Sequence, residues 1–164
     1  MMLLFDATQG DGRTTAGGAP IRVITDGVMG GVSSAEAEVE DVDGRRALRL
    51  RGRVRLENNG GFVQLATDLS VDASPFSHLR LVVRGNDETY GCHLRTTDVQ
   101  RPWQSYRQSF DAPATWTTVD LPLQHFTPHR LTTPFDPRRL RRLGLIAIGR
   151  PFEADLAVHT IHLV

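Results

Sequence analysis

The sequence predicts an all-β protein, an antiparallel β-sandwich, and three observations predict it. From residue 21 onward, apolar and polar residues alternate with a period of two in short segments, the mark of strands buried on one face. Gly, Pro, Asn and Asp separate those segments, as turns require. No stretch carries the apolar spacing of an amphipathic helix.

The alternation marks strands over residues 21–25, 34–40, 47–57, 61–67, 78–84, 90–96, 104–110, 116–121, 143–148 and 154–163. That number suits two stacked antiparallel sheets. Residues 1–20, rich in Gly, Thr and Asp, read as a flexible or partly ordered lead-in to a single domain over residues 21–164. After residues 21–25 comes the most unusual segment, residues 26–33 (DGVMGGVS), with three glycines but neither the Lys of a phosphate-binding loop nor a following helix. Asp26, Met29 and Ser33 are its candidate contacts for a ligand or partner.

Residues 34–40 and 47–57 form the clearest pair. On the second, Leu48, Leu50, Gly52, Val54 and Leu56 fall on one face and Arg49, Arg51, Arg53 and Arg55 on the other. Asp43-Gly44 between the two is a type I′ hairpin signal. With it at the turn centre, Val39 faces Leu48 and Ala37 faces Leu50 inside, while Glu38 faces Arg49 and Glu36 faces Arg51 outside. Arg53 and Arg55 find no acid opposite and are the pair left for a partner.

Asn58-Asn59-Gly60-Gly61 then demands a left-handed backbone, so Asn58 and Asn59 serve a turn or bind a polar ligand. Tyr90, Trp103 and Tyr106 lie on or beside neighbouring strands, with Arg95 and Gln108 near in sequence. A face of Tyr90, Arg95, Tyr106 and Gln108 is therefore the candidate site for a small polar ligand such as a glycan. Trp116 is expected to fill the core. Residues 125–137 are irregular, with three prolines, and Pro137 opens one helical turn ahead of a second basic cluster, Arg138, Arg139, Arg141 and Arg142.

Composition bounds the function classes. The 164 residues contain 19 basic side chains, all Arg, and 19 acidic ones, for a formal charge of zero. A dedicated nucleic-acid binder needs a surplus of cations, so none is expected as partner. With 40% hydrophobic residues the chain is not disordered, and it should expose roughly 8,100 Å² when folded. No run approaches the ~18 apolar residues of a membrane helix. The start, Met1-Met2-Leu3-Leu4-Phe5-Asp6, has too short an apolar run and no preceding basic residue, so it is not expected to act as a secretory leader. Cys92 stands alone, which excludes an internal disulfide and fits a reducing, cytoplasmic setting and a buried, inert thiol. The histidines offer no recognisable metal spacing. No nucleophile, base and acid can be assembled, so no catalytic residue, metal or cofactor is expected.

Taken in order, several segments resemble the complex I intermediate-associated protein family. They are residues 26–33 (DGVMGGVS), 56–62 (LENNGGF), 81–86 (LVVRGN), 94–96 (LRT), 105–110 (SYRQSF), 116–122 (WTTVDLP), 126–128 (FTP) and 143–146 (LGLI), and the likeness spans about residues 21–164. The resemblance implies a jelly-roll, galactose-binding-domain-like sandwich without catalytic residues. It also implies a role like that of the better-known mitochondrial members, which help assemble respiratory complex I, in a compact copy of bacterial type. The leading expectation is a noncatalytic binding or assembly module with a protein partner. The alternative is a module for a carbohydrate or another small polar ligand.

Overall fold

The computed structural model describes residues 1–164. The alternating segments pleat into twelve strands: β1 (Met2–Asp6), β2 (Arg22–Thr25), β3 (Ser34–Val42), β4 (Arg45–Val54), β5 (Phe62–Val71), β6 (His78–Arg84), β7 (Glu88–Thr96), β8 (Ser105–Ala112), β9 (Thr117–Pro122), β10 (Thr127–His129), β11 (Leu140–Ile148) and β12 (Phe152–Leu163). They form two antiparallel sheets, β3-β4-β12-β6-β9 with β1 also on β12, and β10-β8-β7-β11-β5-β2. The protein is the all-β sandwich that the patterning predicts, of the jelly-roll type that the family resemblance implies.

Inward-facing residues of both sheets make one core, with Leu48, Leu50, Leu79, Leu81, Leu94 and Leu145 among those almost fully withdrawn from water. The folded chain exposes 8032 Å², close to the area its mass predicts. Cys92 lies in the core, and burial pushes its thiol far above its ordinary range, so it packs as an apolar residue.

The β3–β4 hairpin has the expected register: Val39 opposes Leu48, Ala37 opposes Leu50, Glu38 opposes Arg49 and Glu36 opposes Arg51. Asp43 and Gly44 both have positive φ, 44° and 84°, as the tight turn needs. The ion pairs, however, run diagonally and to a third strand. Arg49 donates to both carboxylate oxygens of Asp155 on β12 and to Glu40, Arg51 donates to Glu40, and Glu38 lies near Arg13. β12 lies on the other side of β4 and brings its own acids.

Within the lead-in, residues 2–6 form β1 against β12, where Leu4 and Phe5 are buried. Two further expectations are corrected. β4 stops at Val54 and Leu56 is exposed, since the chain turns before it can reach the core. Trp116 lies half-buried on the outside of the first sheet, over Val42, Ala47 and Ala157, and its indole N–H donates to the Val42 carbonyl at 2.8 Å. The helical turn after Pro137 is present as a 3-10 turn, Pro137–Arg139. No helix is long and apolar enough to cross a membrane.

Candidate functional site

The two glycine motifs meet in space. Thr25 Oγ1 accepts the Gly27 N–H and starts a 3-10 turn, Asp26–Met29, which ends at Gly30 in the left-handed region. The Asp26 side chain points inward and is fully buried. Its carboxylate accepts the Ser33 N–H at 3.0 Å, the Ser33 hydroxyl at 2.5 Å, the Gly61 N–H at 2.6 Å and the Phe62 N–H at 3.2 Å. Burial alone would raise its pKa. The hydrogen bonds from Ser33, Gly61 and Phe62 outweigh that and hold the carboxyl below its usual range. A Cβ at Gly31 would come within 2.5 Å of the Asp26 carboxyl carbon, and one at Gly60 within 2.5 Å of Oδ2. Both positions must be Gly for the carboxylate to fit. Asn58 and Asn59 adopt left-handed φ, 59° each, and the Asn58 amide donates to the Gly30 carbonyl.

This clamp has a product. With Asp26 drawn inward, Val28 and Met29 stand 76% and 62% exposed at the edge of the second sheet's outer face. That face carries a groove of about 690 Å³. Its floor follows strand parity. Tyr90, Cys92 and Leu94 point to the core, so Gly91, His93 and Arg95 point out. By the same alternation β5 presents Phe62 and Gln64, β11 presents Arg142, Gly144, Ile146 and Ile148, and β8 presents Arg107. Trp103, 58% exposed, stands at the rim on the loop between β7 and β8.

Chemistry changes along the groove. One end is apolar, with Val28, Met29, Phe62 and Ile148, and the other holds Arg95, Arg107 and Arg142. No acidic side chain lines it. Arg142 sits in register opposite Arg95 across β11 and β7, and Arg107 opposite His93 across β7 and β8. Like charges facing across strands are unfavourable. Burial and the neighbouring cations, Arg142 for Arg95, and Arg130 and Arg95 for Arg107, pull both guanidinium pKa values down. Burial first, then Arg107, His129 and Arg95, push His93 down to about 3, so its ring is neutral. Arg95 and Arg107 donate only to the Pro102 carbonyl and the Ser105 hydroxyl.

Of the residues singled out from sequence, Met29, Arg95, Trp103 and Arg142 line the groove. Asp26 and Ser33 are buried in the clamp, and Asn58 and Asn59 form its exposed turn. Arg53 and Arg55, expected to lack an acid, each have one on the exposed surface: they pair with Glu153 at 2.8 Å and Glu57 at 2.9 Å. The proposed face of Tyr90, Arg95, Tyr106 and Gln108 does not exist. Tyr90 and Tyr106 are core residues at 2% and 0% exposure, their hydroxyls donating to Asn86 and to the Thr133 carbonyl. Gln108 shares their inward parity and donates to the Pro122 carbonyl. Arg95 has the opposite parity and cannot join them. Applying that alternation to β7 and β8 finds His93 and Arg107, which residue type alone does not suggest.

Residues 10–158 match the family model of Complex I intermediate-associated protein 30 (CIA30). No curated protein sequence matches the chain. Among solved structures it is similar to the family 11 carbohydrate-binding module from Clostridium thermocellum in complex with a β-1,3-1,4-mixed-linked tetrasaccharide, with a TM-score of 0.74, 8% identity, and 99% of this chain and 94% of that one covered. It is also similar to the family 30 carbohydrate-binding module of the cellulosomal cellulase Cel9D-Cel44B of Clostridium thermocellum, with a TM-score of 0.56, 15% identity, and coverage of 99% and 93%. An exo-β-agarase matches with a TM-score of 0.64 and 12% identity over 100% of this chain and 25% of the agarase. At these identities the likeness is one of fold.

Proposed function

The chain belongs to the Complex I intermediate-associated protein 30 family, and from that premise we propose that it is a noncatalytic binding module of the assembly-factor kind. It recognises a protein partner through the groove on the second sheet. One observation carries this reading. Of the seven large apolar side chains that stand exposed, four, Val28, Met29, Trp103 and Ile148, line this one groove. Clustered exposed apolar residues mark interaction sites, and Met, Trp and Arg together are the composition of protein interfaces rather than of ordinary surface. Placement in the cytoplasm and a part in respiratory-complex assembly belong to the same proposal.

The test is capture from the native host with wild-type protein and with Met29→Asp and Trp103→Ala variants, read by mass spectrometry. A protein captured by the wild type and lost with both variants supports the reading, and respiratory-complex subunits among the captured proteins support the assembly role. Equal capture by all three overturns the groove. A second reading, a glycan ligand, is favoured by the exposed Trp103 ring and by the fold shared with carbohydrate-binding modules. Retardation of the protein in gels containing mixed-linked β-glucan would support it.

A further inference from the structure

The arginines of the groove make its occupant more specific. Eleven of the chain's arginines lie within ion-pair distance of a carboxylate. Arg95, Arg107 and Arg142 are half-buried on one face and have none. Asp68 faces Arg142 in register across β5 and β11, yet its carboxylate lies 3.6 Å from Arg22. The charge deficit continues into an adjoining hollow of about 440 Å³ lined by Arg95, Arg101, Arg141 and Arg142, with Asp68 as its one acid. Half-buried guanidinium groups facing one another are costly when nothing answers them, and each offers a fork that fits a carboxylate.

We propose, resting on the protein-partner reading, that the groove takes an extended acidic segment of the partner. Its apolar residues lie over Val28, Met29, Phe62 and Ile148, and its carboxylates meet Arg95, Arg107 and Arg142. The geometry sets length and direction. Ile148 and Arg142 lie at the two ends of one strand, about 20 Å apart at the strand rise, the span of about six extended residues. Sugar hydroxyls call for acceptors as well as stacking surfaces. The lining supplies no carboxylate and a largely aliphatic far end, so a peptide fits better than a glycan.

The probe is a fluorescein-labelled peptide with about four aliphatic residues followed by about four glutamates, measured by anisotropy on the full chain. Wild type binds it, and binding weakens by about tenfold or more from low to physiological salt. An Arg95→Ser/Arg142→Ser variant binds about tenfold more weakly. It keeps its melting temperature, since neither arginine has a carboxylate to lose. Arg53→Ser on the opposite sheet changes nothing. A peptide with lysines in place of the glutamates does not bind; equal binding of it, or of the glutamate peptide to the double variant, overturns the proposal. Binding of a sulfated oligosaccharide without binding of the acidic peptide overturns it in favour of an anionic glycan. If Met29→Asp abolishes capture of the cellular partner while Arg95→Ser/Arg142→Ser does not, the groove stands and its acidic specificity falls. If neither variant matters, both fall.

Discussion

On the first sheet, Arg49 is gripped by Asp155 and Glu40, Arg53 by Glu153, Arg80 by Asp120 and Arg84 by Asp43. On the second, Arg95 faces Arg142, and Arg107 faces a histidine kept neutral. Both faces belong to a chain whose formal charge is zero. The difference teaches that neutrality here is a sum over unlike regions. One face uses arginine to fix the order of β3, β4 and β12. The other sets arginines in a groove that has no acid, at a cost that a ligand can relieve.

Substitutions at three points test the contrast between the two faces. The largest effect is expected at the clamp that builds the groove's rim. Asp26→Ala leaves the N–H groups of Ser33, Gly61 and Phe62 without their acceptor and should cost about 4 kcal/mol. That lowers the melting temperature by about 10 °C, with loss of partner capture alongside. A stable variant that still captures would show that the rim does not depend on Asp26.

The second point is His93, held neutral on the second sheet by burial first and then by Arg107, His129 and Arg95. Its pKa falls from 6.5 to about 3 on folding. Between those values the unfolded chain takes up a proton that the folded chain refuses. Its contribution is therefore complete above pH 6.5 and is lost as pH falls, by about 2–3 kcal/mol near pH 4.5. Urea titrations of wild type and His93→Gln across that range should diverge, the variant having the flatter acid limb. Parallel curves would show that His93 takes up its proton as readily in the folded chain as in the unfolded one.

The smallest effects set the two faces side by side. Asp155→Asn removes the main partner of a guanidinium that is 17% exposed and should cost about 1–2 kcal/mol. Arg142→Ser on the other face should stay within about 0.5 kcal/mol of wild type. Equal losses at the two sites would erase the distinction.

Most of the architecture was legible because it is local. Period-two alternation located the strands from β2 to β12 apart from β10, and Asp43-Gly44 set the β3–β4 register. What was illegible is what depends on a third strand. Nothing near residue 49 in sequence says that β12 will bring Asp155 beside Arg49, so the ion pairs were assigned across the hairpin alone. β10 and β1 are short and gain their order from distant partners. The site failed for a different reason. Tyr90 and Arg95 are an odd number of residues apart on one strand, so no flat strand can present both to the same side. The aromatics drew attention by type, when position on the pleat decides which side chains a ligand can reach.

The buried Asp26 has a consequence for the history of such chains. Its carboxylate, the two bare α-carbons at Gly31 and Gly60 that make room for it, and the amides of Gly61 and Phe62 that hold its charge are parts of one lock cut in two along the chain. A side chain gained at either glycine ejects the key, and losing the key leaves the amides unanswered. The two segments should therefore be inherited or discarded together. A descendant that keeps DGVMGGVS but rewrites NNGG will have given up the exposed Val28 and Met29 even if every strand survives.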